Sequence, residues 1–307
     1  MNAPYRGLVA APFTPFKPDL SVNYDVIPAY ADLLRRNGVS AAFVCGTTGE
    51  GLSLTTEERE AVAAHWVRHA GAGLRVIVHV GHNSLPDARR LIAHAASIGA
   101  HAAGAFAPNF FRPRDHDELV AWCAAVAGAA PPLPFYYYHI PSMTGVTLPV
   151  AEFIARADGR IPSLAGIKYT HEDLDDFQAC VRYGGGRYDI LFGRDELLME
   201  GWARQAKGAV GSTYNYAAPL YLQLLEHLAA GRTAEARRLQ DKAIGMISLC
   251  ANAGVTHLAA SKALMASLGV DCGPVRPPLR QPTPEQIAAL KQRLEAADFF
   301  STACRPS

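Results

Sequence analysis

The chain has 307 residues, of which 50% are hydrophobic and 19% charged. That length and composition describe a folded protein of one large domain or two medium ones and exclude a disordered chain. Lys plus Arg number 29 against 28 Asp plus Glu with no basic run, and no apolar stretch reaches membrane-spanning length, so neither a nucleic-acid surface nor a bilayer anchor is expected.

Short apolar runs alternate with amphipathic segments. A strand is predicted at Gly7–Pro12, then a helix at Val26–Asn37 closed by Gly38. A second strand, Ala41–Cys45, leads to a helix at Thr55–His69, whose Thr-Thr-Glu-Glu start suits an N-cap followed by first-turn acids. Strand Arg75–His79 precedes helix Ser84–Ile98, and strand Ala102–Ala107 precedes helix Asp115–Ala127. The next strand is Leu133–Tyr138 with a helix at Pro149–Ala157, followed by strand Leu164–Lys168 with a helix at His171–Tyr183. Strand Asp189–Phe192 leads to helix Asp195–Ala206, and Gly208–Gly211 is the last strand.

Eight strand–helix alternations imply parallel strands and an α/β fold of the (β/α)8 TIM-barrel type. An open doubly wound sheet competes less well, because no GxGxxG follows the first strand. Beyond Gly211 the pattern is helical only, at Pro219–Ala230, Thr233–Ala251, Thr256–Leu268 and Thr283–Ala296. The expected organisation is a barrel catalytic domain at 1–215 and a C-terminal helical extension at 216–307, packed on the barrel.

In a barrel of this kind, chemistry sits at the C-terminal ends of the strands. The second strand runs into Gly46-Thr47-Thr48-Gly49-Glu50-Gly51. Glycines let backbone N–H groups turn toward an anion, and the threonines add hydroxyl donors; a plain helix-capping turn is the alternative. The fifth strand ends Tyr136-Tyr137-Tyr138-His139. Period-two alternation puts Tyr136 and Tyr138 on one face, with Tyr138 best placed to reach a ligand. The sixth ends at Lys168, in a chain with only six lysines against 23 arginines. Burying an amine favours its neutral, nucleophilic form, which suits a Schiff base with a ketone or aldehyde. A lysine snorkelling to the rim is the competing reading. The seventh strand leads to Gly193-Arg194-Asp195-Glu196 and the eighth to Ser212-Thr213. Paired carboxylates there suit sugar hydroxyls and would repel a phosphate, unless Asp195 merely caps a helix.

The six cysteines, at 45, 123, 180, 250, 272 and 304, form no CxxC pair and read as buried thiols. His65 with His69, and His79 with His82, lack a third ligand at useful spacing, so no metal site is expected and these histidines read as surface or supporting groups. The opening residues lack a signal-peptide pattern, and a cytoplasmic location is expected.

These motifs resemble the N-acetylneuraminate lyase and dihydrodipicolinate synthase superfamily of pyruvate aldolases. The likeness runs from Val9-Ala-Ala-Pro-Phe-Thr14 to Gly273-Pro-Val-Arg-Pro-Pro-Leu279 and includes Gly46–Glu50, Tyr138-His-Ile-Pro-Ser-Met-Thr-Gly145, Gly166-Ile-Lys168 and Gly211-Ser212. The resemblance implies that Lys168 forms the Schiff base, Tyr138 is the acid/base group tuned by Thr47, and Thr47 and Thr48 hold a pyruvate carboxylate. It implies sugar contacts at Thr170, Gly193, Asp195, Glu196 and Ser212. Met143 stands where the synthases usually carry an arginine, which leans the chain toward the sialate lyases. Phe110 stands where many members lend a tyrosine to a neighbouring subunit. The implied substrates are a 2-keto acid sugar (sialic acid) and pyruvate, with no cofactor and a homotetrameric assembly. The alternatives are a 2-keto-3-deoxy sugar-acid aldolase or dehydratase, a dihydrodipicolinate synthase-like condensation, and a non-catalytic keto-acid sensor on the same scaffold.

Overall fold

The computed structural model describes residues 4–305; the outermost residues of the two expected domains, 1–3 and 306–307, lie outside the described range. Eight strands close a parallel barrel in sequence order: β1 Gly7–Ala10, β2 Ala41–Val44, β3 Arg75–His79, β4 Ala102–Phe106, β5 Phe135–His139, β6 Leu164–Tyr169, β7 Asp189–Phe192 and β8 Gly208–Gly211. β8 returns to β1, with Gly7 opposite Gly208 and Ala10 opposite Gly211. The expected (β/α)8 barrel is therefore the fold, and the predicted strands coincide with the observed ones to within two residues at each end.

Helices α1 Ile27–Arg36, α2 Thr56–His69, α3 Leu85–Ser97 and α4 His116–Ala127 follow the first four strands. α5 Pro141–Thr144 and α6 Val150–Ala157 follow β5, α7 Leu174–Arg182 follows β6, and α8 Leu198–Ala203 follows β7. After β8 come α9 Tyr214–Ala229, α10 Thr233–Ala251, α11 His257–Leu264 and α12 Pro284–Ala296. The capping signals act as read: Thr55 accepts from the Glu58 amide in a reciprocal capping box, and Gly38 takes the left-handed conformation (φ +76°) that ends α1.

Two departures bear on the site. The short α5 was not anticipated, because its four residues are too few to show a helical period. α9 begins at Tyr214 rather than Pro219, with a break at Ala217 (φ −131°) that accommodates the missing N–H of Pro219. Among the described residues, no helix is long and apolar enough to cross a membrane.

Alternation along the strands splits the core in two. Val9, Phe43, Ile77, Tyr136, Tyr138, Leu191 and Val210 fill the barrel, while Tyr137, Ile167, Tyr169 and Phe192 face the surrounding helices. This is the split expected for Tyr136 and Tyr138 against Tyr137. A β6 side chain that shares the interior face with Leu191, its neighbour on β7, is Lys168. Lys168 is also directly opposite Tyr138 across the β5–β6 pair.

Candidate active site

Lys168 and Tyr138 lie at the C-terminal mouth of the barrel, 4% and 2% exposed. The ammonium nitrogen of Lys168 is 4.0 Å from the ring centres of both Phe43 and Tyr138, and among the described residues it makes no ion pair. Burial brings its pKa down to about 7, against the weaker pull of the Asp195 carboxylate in the other direction. The neutral amine, the form that attacks a carbonyl, is thus accessible near neutral pH.

Tyr138 Oη lies 3.3 Å from Thr47 Oγ1. Burial pushes the phenol up to about 12, while the hydroxyls of Thr47 and Thr170 favour its ionised form. Thr170, the residue after β6, is half-buried. Lysine, phenol and two hydroxyls therefore converge.

The loop after β2 folds as a tight nest. The Glu50 amide donates to the Thr47 carbonyl at 3.0 Å and the Gly51 amide to the Gly46 carbonyl at 3.0 Å. Thr14 Oγ1 donates to the Gly49 carbonyl at 2.6 Å. Thr47 and Thr48 are half-buried, and no intramolecular acceptor takes their amides among the described residues. Donors arranged in this way suit a carboxylate.

Asp195 is more deeply set than a rim group. It is 6% exposed and starts a 3-10 turn rather than capping it. Oδ2 accepts from the Thr213 amide (3.1 Å) and hydroxyl (2.6 Å), and the Tyr214 hydroxyl also favours the ionised carboxylate. Burial raises its pKa to about 6, with Glu196 adding to the rise and Thr213 opposing it. A side chain at Gly211 would strike this carboxylate, so the glycine is what lets Asp195 reach the β8 end. Glu196 is half-buried and 3.8 Å from Arg194, which also pairs with Glu172 at 2.9 Å. Gly193 and Ser212 are half-buried immediately after β7 and β8, and a side chain at Gly193 would collide with Thr170. The Ser212 carbonyl accepts from Asn215 Nδ2 at 2.8 Å. Of the expected residues, Lys168, Tyr138, Thr47 and Thr170 make one tight cluster with Asp195 beside it; Thr48, Gly193, Glu196 and Ser212 sit on the surrounding rim.

Two residues at the site escaped the sequence reading. His79 is 1% exposed, between the rings of Phe106 (4.6 Å) and Tyr138 (5.9 Å). Burial beside Arg59 and Lys168 holds its pKa well below the ordinary histidine value, so it is neutral. Its Nδ1 lies 3.0 Å from the Cys45 carbonyl and 3.3 Å from Arg59 Nη2, and Nε2 has no hydrogen-bond partner among the described residues. Period-two alternation from Ile77 places His79 on the interior face, and that alternation is the signal in the sequence that marks it. Glu50 is the other: it is buried against Lys262, 212 positions away, a contact with no local trace in the sequence.

A closed barrel that carries an unpaired amine beside a phenol and an anion cradle, all at its C-terminal mouth, is the arrangement of an enzyme that captures a carbonyl compound. Residues 4–297 match the dihydrodipicolinate synthetase family, and the chain belongs to that family. It is 40% identical to the N-acetylneuraminate lyase of Mus musculus, over 97% of this chain and 94% of that one. The solved N-acetylneuraminate lyase of Proteus mirabilis superposes with a TM-score of 0.94 at 42% identity, covering 97% of this chain and all of that one. The N-acetylneuraminate lyase (sialic acid aldolase) of Aliivibrio salmonicida gives a TM-score of 0.94 at 39% identity, over 97% and 98% of the two chains.

Proposed function

We propose that the protein is a carbon–carbon lyase that cleaves N-acetylneuraminate to N-acetylmannosamine and pyruvate through a Schiff base on Lys168. The observation that carries the reading is the buried, unpaired Lys168 amine stacked over Tyr138, in a chain about 40% identical to such lyases along nearly its whole length.

The neutral Lys168 amine adds to the C2 carbonyl of the open-chain substrate. Tyr138 gives its proton to the departing hydroxyl, water leaves, and an iminium forms. The new positive charge stabilises the phenolate, which a phenol of pKa about 12 would not otherwise sustain at neutral pH. The phenolate takes the proton of the C4 hydroxyl, the C3–C4 bond breaks, and its electron pair moves to the iminium nitrogen as the aldehyde is released. Protonation of the enamine at C3 and hydrolysis free pyruvate and Lys168. The free amides and hydroxyls of Thr47 and Thr48 hold the carboxylate. Thr170, Gly193, Asp195, Glu196 and Ser212 orient the polyol, lowering the entropic part of the barrier. The cycle as written draws on no metal or diffusible cofactor.

Two further parts of the reading concern context. A homotetramer is supported by Phe110 and Phe111, 77% and 86% exposed on the loop after β4, an apolar pair suited to burial against another copy. A cytoplasmic location is supported by six cysteines that are all buried and unpaired. The helices after β8 are read as an extension of the barrel, supported by the Lys262–Glu50 contact that joins α11 to the β2 loop. A pyruvate-release assay comparing N-acetylneuraminate with 2-keto-3-deoxygluconate tests the substrate. Faster release from the deoxygluconate would replace the sialate reading with the sugar-acid aldolase one.

A further inference from the structure

Glu50 closes the Gly46–Gly49 cradle but points away from it. Its backbone is left-handed (φ +53°), a conformation that a non-glycine residue keeps only where its surroundings enforce it. The enforcing contacts come from the C-terminal part of the chain. Lys262 Nζ, on α11, donates to Glu50 Oε1 at 2.7 Å, with both side chains 1% exposed. The Arg276 amide donates to Glu50 Oε2 at 2.8 Å. The Arg276 guanidinium then donates to the Ser53 carbonyl (2.7 Å), the Leu20 carbonyl (2.8 Å) and the Glu58 carboxylate (2.5 Å), tying down the other end of the same loop. Lys262 and Arg276 both lie over the Phe16 ring, at 4.1 and 4.5 Å.

A buried ion pair contributes little net stability, since well-packed apolar residues often do as well or better. What it does provide is a fixed geometry, because neither charge tolerates displacement from the other. The geometry fixed here leads directly to the chemistry. The Glu50 amide holds the Thr47 carbonyl, and the Thr47 hydroxyl sits 3.3 Å from Tyr138 Oη, a contact that a shift of a few tenths of an ångström would break.

We propose that Glu50, Lys262 and Arg276 are positioning residues, which hold the carboxylate cradle and, through Thr47, the Tyr138 hydroxyl in their working arrangement. The proposal rests on the Schiff-base reading above, so the experiment begins by establishing that reading. Wild-type protein is treated with pyruvate and borohydride, and the adduct is located by peptide mass mapping. No adduct on Lys168 would overturn the Schiff-base reading and this proposal with it.

With the adduct in place, K262M and the charge-neutral pair E50Q/K262M are compared with wild type, with rates expressed per trappable lysine. The neutral pair leaves no buried charge unpaired, so it remains informative should K262M alone not fold. Expected is a KM for pyruvate, in the condensation direction, raised at least about tenfold, with kcat per site falling about threefold or less. T47V, expected to cost about tenfold in kcat/KM in the wild-type background, should cost about twofold or less when Lys262 is replaced, because the threonine is already displaced. A lower melting temperature with KM, kcat per site and the T47V effect all unchanged would overturn the proposal and leave the pair a structural staple.

Discussion

Two of the six lysines are buried, and they do opposite things with the same cost. Lys168, at the mouth of the barrel, has aromatic faces around its nitrogen and no carboxylate in contact, so desolvation brings its pKa to about 7. Lys262, under the β2 loop, is as dry, but it meets Glu50 at 2.7 Å, which counters the downward push of burial. Burial alone therefore does not make a nucleophile. The discriminating feature is whether a counter-ion completes the amine's coordination, and only at Lys168 is that place left for a substrate.

The largest effect that could break this contrast is loss of the nucleophile. K168M should reduce lyase turnover by about 10⁴-fold or more and abolish borohydride trapping, whereas K262M should still trap on Lys168. Trapping that persists in K168M would place the Schiff base elsewhere. Next comes Y138F, which should keep the adduct but lower kcat by about 10²–10⁴-fold, the usual share of acid–base catalysis, as read by steady-state assay and adduct mass.

Burial lowers the pKa of both lysines, so stability separates them by what their removal leaves behind. A lysine whose folded pKa lies below its unfolded value binds fewer protons when folded, so it destabilises at and below about pH 7 and ceases to do so near pH 10.5. K168M should accordingly melt higher than wild type, by about 4 °C at pH 7 for a gain of roughly 2 kcal/mol, with the gap closing as pH rises. K262M strands the Glu50 carboxylate and should be destabilised by about 3 kcal/mol in denaturant unfolding. Similar shifts in both variants would erase the distinction. The smallest effect sharpens it. Below saturation, kcat/KM should rise with pH through about 7 as Lys168 loses its proton. Asp195 pulls that pKa upward, so D195N should move the midpoint to lower pH.

The barrel was legible because eight apolar runs and their helices recur with clear caps and periods, and parallel strands so connected close in one way. Lys168 and Tyr138 were legible for a related reason: a scarce residue type inside an apolar strand, and a phenol at the end of one, announce themselves locally. The depth of Asp195 was not, since its burial depends on the missing side chain at Gly211, the last residue of the next strand, and on Thr213 just past it. Lys262 is an equally scarce residue type but lies in a helix away from the strand ends, and its burial was not legible because the partner that accompanies it is 212 residues upstream. His79 showed its interior orientation by strand alternation alone, but its neutral state comes from burial, and then from Arg59 on α2 and Lys168 on β6.

The ring of Phe43 forms the floor on which the reactive amine rests, and it has room because positions 46 and 104 lack a β-carbon, each of which would come within 2.9 Å of it. The depth of the catalytic chamber is thus set by two absent methyl groups. A single alanine at either place would press on that ring and, through it, on the amine that rests there.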